Sequence, residues 1–123
     1  MDNKCKILIV DDSPMIHALI KRALENDEFT ICGSGKNGKD GVEKYKELSP
    51  DIVTMDITMP VMDGLEASKE IMSINPKAKI VMLSAMGDEE IIETANQIGI
   101  NYIIKKPFNK EELLDVLKKV LED

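Results

Sequence analysis

The chain has 123 residues, and its 16 basic and 23 acidic side chains give a formal net charge of −7. That length supports one domain with a single sizeable core, and a composition of 43% apolar and 32% charged residues is ordinary for a globular protein. The acidic balance, the absence of any Lys/Arg cluster longer than a pair, the 3% aromatic content and the lack of a roughly 18-residue apolar run exclude nucleic-acid-binding and membrane-spanning classes.

Met1 leads into a charged start with no signal peptide, which predicts a cytoplasmic protein. The first apolar run, CKILIV near residue 5, reads as a strand. Ser13 and Pro14 open a helix whose Ile16, Leu19, Ile20, Ala23 and Leu24 form one stripe. FTIC near 29 is the second strand, and a helix from about Asp40 to Leu48 turns Val42, Tyr45 and Leu48 inward. DIVTM near 51 is the third strand, followed by a helix that starts after Asp63-Gly64 and ends before Pro76. KIVML near 79 leads to a helix capped by Asp88, burying Ile91, Ile92, Ala95 and Ile98 and stopped by Gly99. NYII near 101 is the fifth strand. Asn109 and Glu112 have capping-box spacing for a last helix that faces the sheet with Leu113, Leu114, Leu117, Val120 and Leu121. Cys5 and Cys32, with no third ligand nearby, read as buried small hydrophobes of a reduced protein.

Strands alternating with helices at intervals of about 22 to 28 residues predict an α/β fold. The expected form is a flavodoxin-like, doubly wound (βα)5 parallel sheet with strand order 2-1-3-4-5. The elements fill residues 1–123, so a single domain with no output domain is expected. In this order ligands bind beyond the carboxyl ends of strands one and three, where the connections reverse. Asp11 and Asp12 follow the first strand, Asp56 ends the third, Ser84 ends the fourth and Lys106 ends the fifth. Three converging carboxylates repel one another unless a cation compensates them, and few hard oxygen ligands with room for waters suit Mg²⁺. No Walker A loop or G-x-G-x-x-G follows the first strand, so nucleotide binding has little support. A carboxylate can itself accept a phosphoryl group, with the metal, Ser84 and Lys106 neutralising the transferring oxygens.

LIVDD, MDITMPVMDG, LSAMG and KPF, in this order and spacing, resemble the receiver domains of two-component response regulators over essentially the whole chain. Within that family the KYKELSPDIVTMDITMP and LSAMG stretches are most like the single-domain chemotaxis regulators. The resemblance implies that Asp56 is the phosphoacceptor. It implies that Asp12 and Asp56 bind Mg²⁺, Asp11 binds it through water, and the Thr58 carbonyl completes the protein ligands. It also implies that Ser84 bonds a phosphoryl oxygen, that Lys106 pairs with the phosphoryl group, and that the Lys106-Pro107 peptide is cis. The implied protein is a monomeric phosphoacceptor that catalyses its own phosphorylation and dephosphorylation. Its partners would be a chemotaxis-type histidine kinase, a downstream target such as a flagellar motor switch, and an external phosphatase.

Receivers carry Tyr or Phe three residues before the lysine, where this chain has Ile103. Tyr102 falls one residue earlier, on the opposite strand face unless a bulge shifts the register, so either the aromatic switch is absent, which is the expectation, or Tyr102 performs it through local irregularity. Lys105 should be solvated, and His17 exposed or half-buried. Met59, Met62 and Met86 fit either a docking surface or gap filling. Thr58 and Met86 occupy the positions that tune acyl-phosphate hydrolysis in receivers. A thioether orients water poorly, so self-dephosphorylation should be slow. The alternative within the fold is a phosphorelay carrier or phosphate sink serving a histidine phosphotransfer domain. A haloacid dehalogenase-like phosphatase needs a second Asp two residues after the nucleophile, where Thr58 stands, and an FMN module needs a Ser/Thr-rich phosphate loop that is lacking.

Overall fold

The computed structural model describes residues 4–25 and 28–123. Five parallel strands, β1 (Cys5–Val10), β2 (Phe29–Gly35), β3 (Ile52–Asp56), β4 (Ile80–Ser84) and β5 (Tyr102–Lys105), form one sheet in the order β2-β1-β3-β4-β5. Five helices alternate with them: α1 (Pro14–Leu24), α2 (Gly38–Leu48), α3 (Gly64–Ile74), α4 (Glu89–Gln97) and α5 (Lys110–Glu122). This is the expected doubly wound, flavodoxin-like order, with helices covering both faces.

The two faces make two cores. Ile7, Ile9, Ile52, Val81 and Leu83 meet α1 and α5 through Ile20, Leu24, Leu113 and Leu117. On the other face Leu8, Val10, Val53, Met55 and Met82 meet α2, α3 and α4 through Val42, Ala67, Ile71 and Ala95. Alternation along each strand thus sends apolar side chains to both sides, which is why the runs lack polar residues.

Several local expectations need correction. α2 begins at Gly38, two residues before the expected Asp40, because the Asn37 side chain accepts the Asp40 N–H and caps the helix earlier. Ile91, Ile92 and Ile98 are half-buried, with only Ala95 of that stripe buried, since α4 packs at one edge of its face. Leu48, Leu114, Ile16 and Leu19 are also half-buried, and Leu121 is 39% exposed in the last turn of α5. Cys5 and Cys32 are half-buried free thiols, not fully buried ones, and burial pushes both thiol pKa values up, that of Cys5 to about 11. Asp88 precedes α4, but its carboxylate accepts the Ala85 N–H at 2.7 Å and not a helix amide. Ser13 likewise opens α1 without a side-chain cap bond. The Asn109–Glu112 capping box is formed as expected, and the Lys106-Pro107 peptide is cis. Among the described residues no helix is long and apolar enough to cross a membrane.

Candidate functional site

The parallel pairing of β1 with β3, with Val10 opposite Met55, brings the residues that follow them to one rim of the sheet. There Asp11, Asp12 and Asp56 each present a carboxylate oxygen, and these oxygens all lie within 4.8 Å of one another. Asp11 and Asp56 are buried at 1% and 7% exposure, whereas Asp12 faces solvent, leaving the cluster an open side.

Lys106 completes the group from the far edge of the sheet. Its backbone N–H donates to the Ser84 carbonyl at 2.7 Å, extending the β4–β5 ladder by one residue beyond β5. The ammonium then reaches Asp11 Oδ2 at 3.0 Å and Asp56 Oδ1 at 3.1 Å. Burial and the adjacent Asp11 charge push the Asp56 carboxyl up to about 6, an effect that Lys106 only partly offsets. Burial lowers the Lys106 pKa, but its bonds to the two carboxylates outweigh this and hold the ammonium above its usual value. One cation against three acids leaves the site short of positive charge. Oxygen ligands with an open side fit a hard divalent ion such as Mg²⁺.

The β1–α1 and β3–α3 loops hold the acids in place. Ser13 N–H donates to Asp11 Oδ1 at 2.9 Å. His17, half-buried as expected, places Nε2 2.7 Å from the Asp11 carbonyl; since that oxygen only accepts, the ring nitrogen donates. This contact was not legible in the sequence, because it depends on the first turn of α1 carrying the ring back over the strand end. Gly64 at the start of α3 donates its N–H to the Ile57 carbonyl at 2.7 Å, and a Cβ there would overlap the Asp56 carbonyl oxygen. The Asp63-Gly64 landmark therefore reflects a backbone approach that only glycine permits. Between these points Met62 N–H donates to the Pro60 carbonyl at 2.7 Å, closing a γ-turn with Val61 at φ 70°.

Ser84, the last residue of β4, is fully buried, and its hydroxyl has no hydrogen-bond partner. The buried hydroxyls of Thr54 and Ser68 are likewise without a partner, and what sets Ser84 apart is its place at the carboxyl end of β4, the end of the sheet that also carries Asp56 and Lys106. Thr58 is exposed just past β3. Lys105 is exposed, as expected of the residue that alternates with Lys106. The three methionines divide: Met59 is buried in the core, Met62 is half-buried and Met86 is 100% exposed. β5 pairs with β4 without a register shift, so Tyr102 packs on the α1–α5 side while Ile103 packs on the α4 side. No bulge returns the aromatic ring to the position of Ile103.

Comparison with known proteins shows the family of the chain and agrees with its fold. A family model described as the response regulator receiver domain matches residues 7–118. The chemotaxis protein CheY of Bacillus subtilis is 47% identical over 116 residues, covering 94% of this chain and 97% of its own length. CheY of Thermotoga maritima is 45% identical over 115 residues, covering 94% and 96%. Among solved structures, the CheX-CheY-BeF3-Mg²⁺ complex of Borrelia burgdorferi matches with a TM-score of 0.89 at 33% identity, over 95% of this chain and 89% of that one.

Proposed function

The chain belongs to the response regulator receiver domain family, and from that premise we propose that it is a phosphorylation-dependent switch of the chemotaxis type, with Asp56 as its phosphoacceptor. The observation that carries the proposal is the convergence of Asp56 with Asp11, Asp12 and the Lys106 ammonium at the sheet's switch point. An Asp56 carboxylate oxygen attacks the phosphorus of a phosphohistidine on a CheA-like kinase. The new P–O bond forms as the P–N bond breaks, and the neutral imidazole leaves with a proton from solvent. Asp11, Asp12, Asp56 and the Thr58 carbonyl would hold Mg²⁺, which supplies charge neutralisation to the phosphoryl oxygens when bound. Lys106 exchanges its Asp56 bond for a phosphoryl oxygen, and Ser84 donates its unpartnered hydroxyl to another.

The pull on Ser84 and Lys106 shifts the population of the surface formed by α4, β5 and α5. Ile103 lines that surface in place of an aromatic residue, so the signal passes through aliphatic repacking and not through a rotating ring. The downstream partner is a protein such as a flagellar motor switch, and a CheX-like protein fits the place of a partner acting on the phosphorylated form.

Intact-mass measurement after incubation with acetyl phosphate and Mg²⁺ tests the chemistry. A single phosphoryl addition in the wild type and none in Asp56→Asn is the expected result; addition that persists in the variant overturns it. Spontaneous hydrolysis is slow because Met86 cannot orient water, so Met86→Gln shortens the phosphorylated lifetime. An unchanged lifetime in that variant rules out the role given to Met86.

A further inference from the structure

Met86 is the most exposed methionine among the described residues. Its side chain is 100% exposed, against 77% for Met15, 8% for Met59 and 0% for Met55 and Met82. Thioether oxidation by peroxide follows exposure, so among the methionines of the described residues this sulfur is the first target. Its backbone is nonetheless fixed. Asp88 accepts the Ala85 N–H at 2.7 Å and Glu89 accepts the Gly87 N–H at 3.1 Å, so the turn is tied on both sides of Met86. The side chain borders a pocket of about 280 Å³ that also takes in Ser84, Ile92 and Lys106. Met86 thus borders the same pocket as Lys106, the residue whose ammonium contacts Asp56.

We propose that Met86 is a redox-sensitive modification site, at which conversion of the thioether to the sulfoxide by peroxide shortens the lifetime of the Asp56 acyl phosphate. The inference rests on Asp56 being the phosphoacceptor. A sulfur lone pair attacks one peroxide oxygen, the S–O bond forms as the O–O bond breaks, sulfur gives up two electrons and the other oxygen leaves as water. The sulfoxide oxygen is a hydrogen-bond acceptor where the thioether sulfur is a weak one. It can therefore hold a water at the border of that pocket. That water attacks phosphorus, the P–O bond to Asp56 breaks, the carboxylate is restored, and the water's proton leaves on the released phosphate. One net hydrogen bond corresponds to roughly a two- to tenfold change in rate.

The test compares wild type, Met86→Leu and Met15→Leu, each phosphorylated with acetyl phosphate and Mg²⁺ before and after treatment with hydrogen peroxide. Peptide mass spectrometry locates the sulfoxide, and intact mass follows loss of the phosphoryl group. The expected result is sulfoxide forming first at Met86, with phosphorylated lifetime shortened about threefold in wild type and Met15→Leu and unchanged by peroxide in Met86→Leu. Sulfoxide appearing first at another methionine of the described residues, a lifetime unaltered or lengthened once Met86 is fully oxidised, or a shortening that persists in Met86→Leu overturns the proposal. Failure of the untreated wild type to take up a phosphoryl group overturns the reading of Asp56 instead, and this is seen before peroxide is added.

Discussion

Asp56 is held in tension by its surroundings. Its carboxyl is pushed up to about 6 by burial and by Asp11, so between about pH 4 and 6 the folded chain binds more protons than the unfolded one. Stability contributed by the neutral acid is therefore complete below the unfolded value and lost as pH rises through about 6. Asp56→Asn removes this loss. In chelator, urea titrations should show the variant level with wild type near pH 4 and ahead by about 1–2 kcal/mol at pH 7, allowing for the site's open side. An advantage that does not grow with pH contradicts the assignment. Val61 carries a second local cost, since a β-branched residue at φ 70° is strained by roughly 1–3 kcal/mol. Being 77% exposed, it contributes little packing in return. Val61→Gly should therefore gain about 1 kcal/mol net of glycine's chain entropy, read as a higher urea midpoint; a loss would show that the turn is not strained. The strain at Val61 was not visible in the sequence, where it is an unremarked residue between landmarks; the repulsion among Asp11, Asp12 and Asp56 was legible from their convergence, whereas the burial that adds to it at Asp56 was not.

At the level of elements, capping residues vary in how well they could be read. Asn109 and Glu112 have capping-box spacing and form it, with Glu112 N–H donating to Asn109 Oδ1 at 2.8 Å and Asn109 N–H to Glu112 Oε1 at 3.2 Å. Ser13 has an equally good capping identity but makes no side-chain cap bond. Asn109→Ala should thus cost about 1 kcal/mol while Ser13→Ala stays within about 0.5 kcal/mol, measured as shifts of the urea midpoint. Equal losses would mean that identity and not geometry governs. The helix stripes were legible as periodicities, yet their depth was not: Ile91, Ile92 and Ile98 share a period with Ala95 but only Ala95 reaches the interior. Depth depends on how far a helix sits over the sheet. A register shift in β2, which passes from Ile7 opposite Ile31 to Leu8 opposite Gly33, was equally hidden, because side-chain pattern does not report an unpaired residue such as Cys32.

Across the whole molecule, strand order and site location were legible together, because the alternation of strands and helices fixes a switch point and the residues ending β1 and β3 are acids. The contact of Lys106 with Asp11 and Asp56 also follows from topology, since β5 ends on the same rim. The proposed Mg²⁺ site predicts a coupling between ion binding and global stability. Asp11 and Asp12 follow β1 and Asp56 ends β3, two adjacent strands whose side chains enter both cores. Unfolding separates those strands, so an ion that bridges them binds the folded chain alone. At a free Mg²⁺ concentration ten times its Kd the stabilisation is about 1.4 kcal/mol, raising Tm by about 5 °C for a chain of this length. Asp12 is exposed, so Asp12→Ala can fold normally while losing a ligand, and its Tm should rise by less than a third as much at the same Mg²⁺ concentration. Calorimetry across a Mg²⁺ titration distinguishes the outcomes: a full shift retained in Asp12→Ala would place the bound ion away from the acid cluster and break the link between the switch point and the fold's stability.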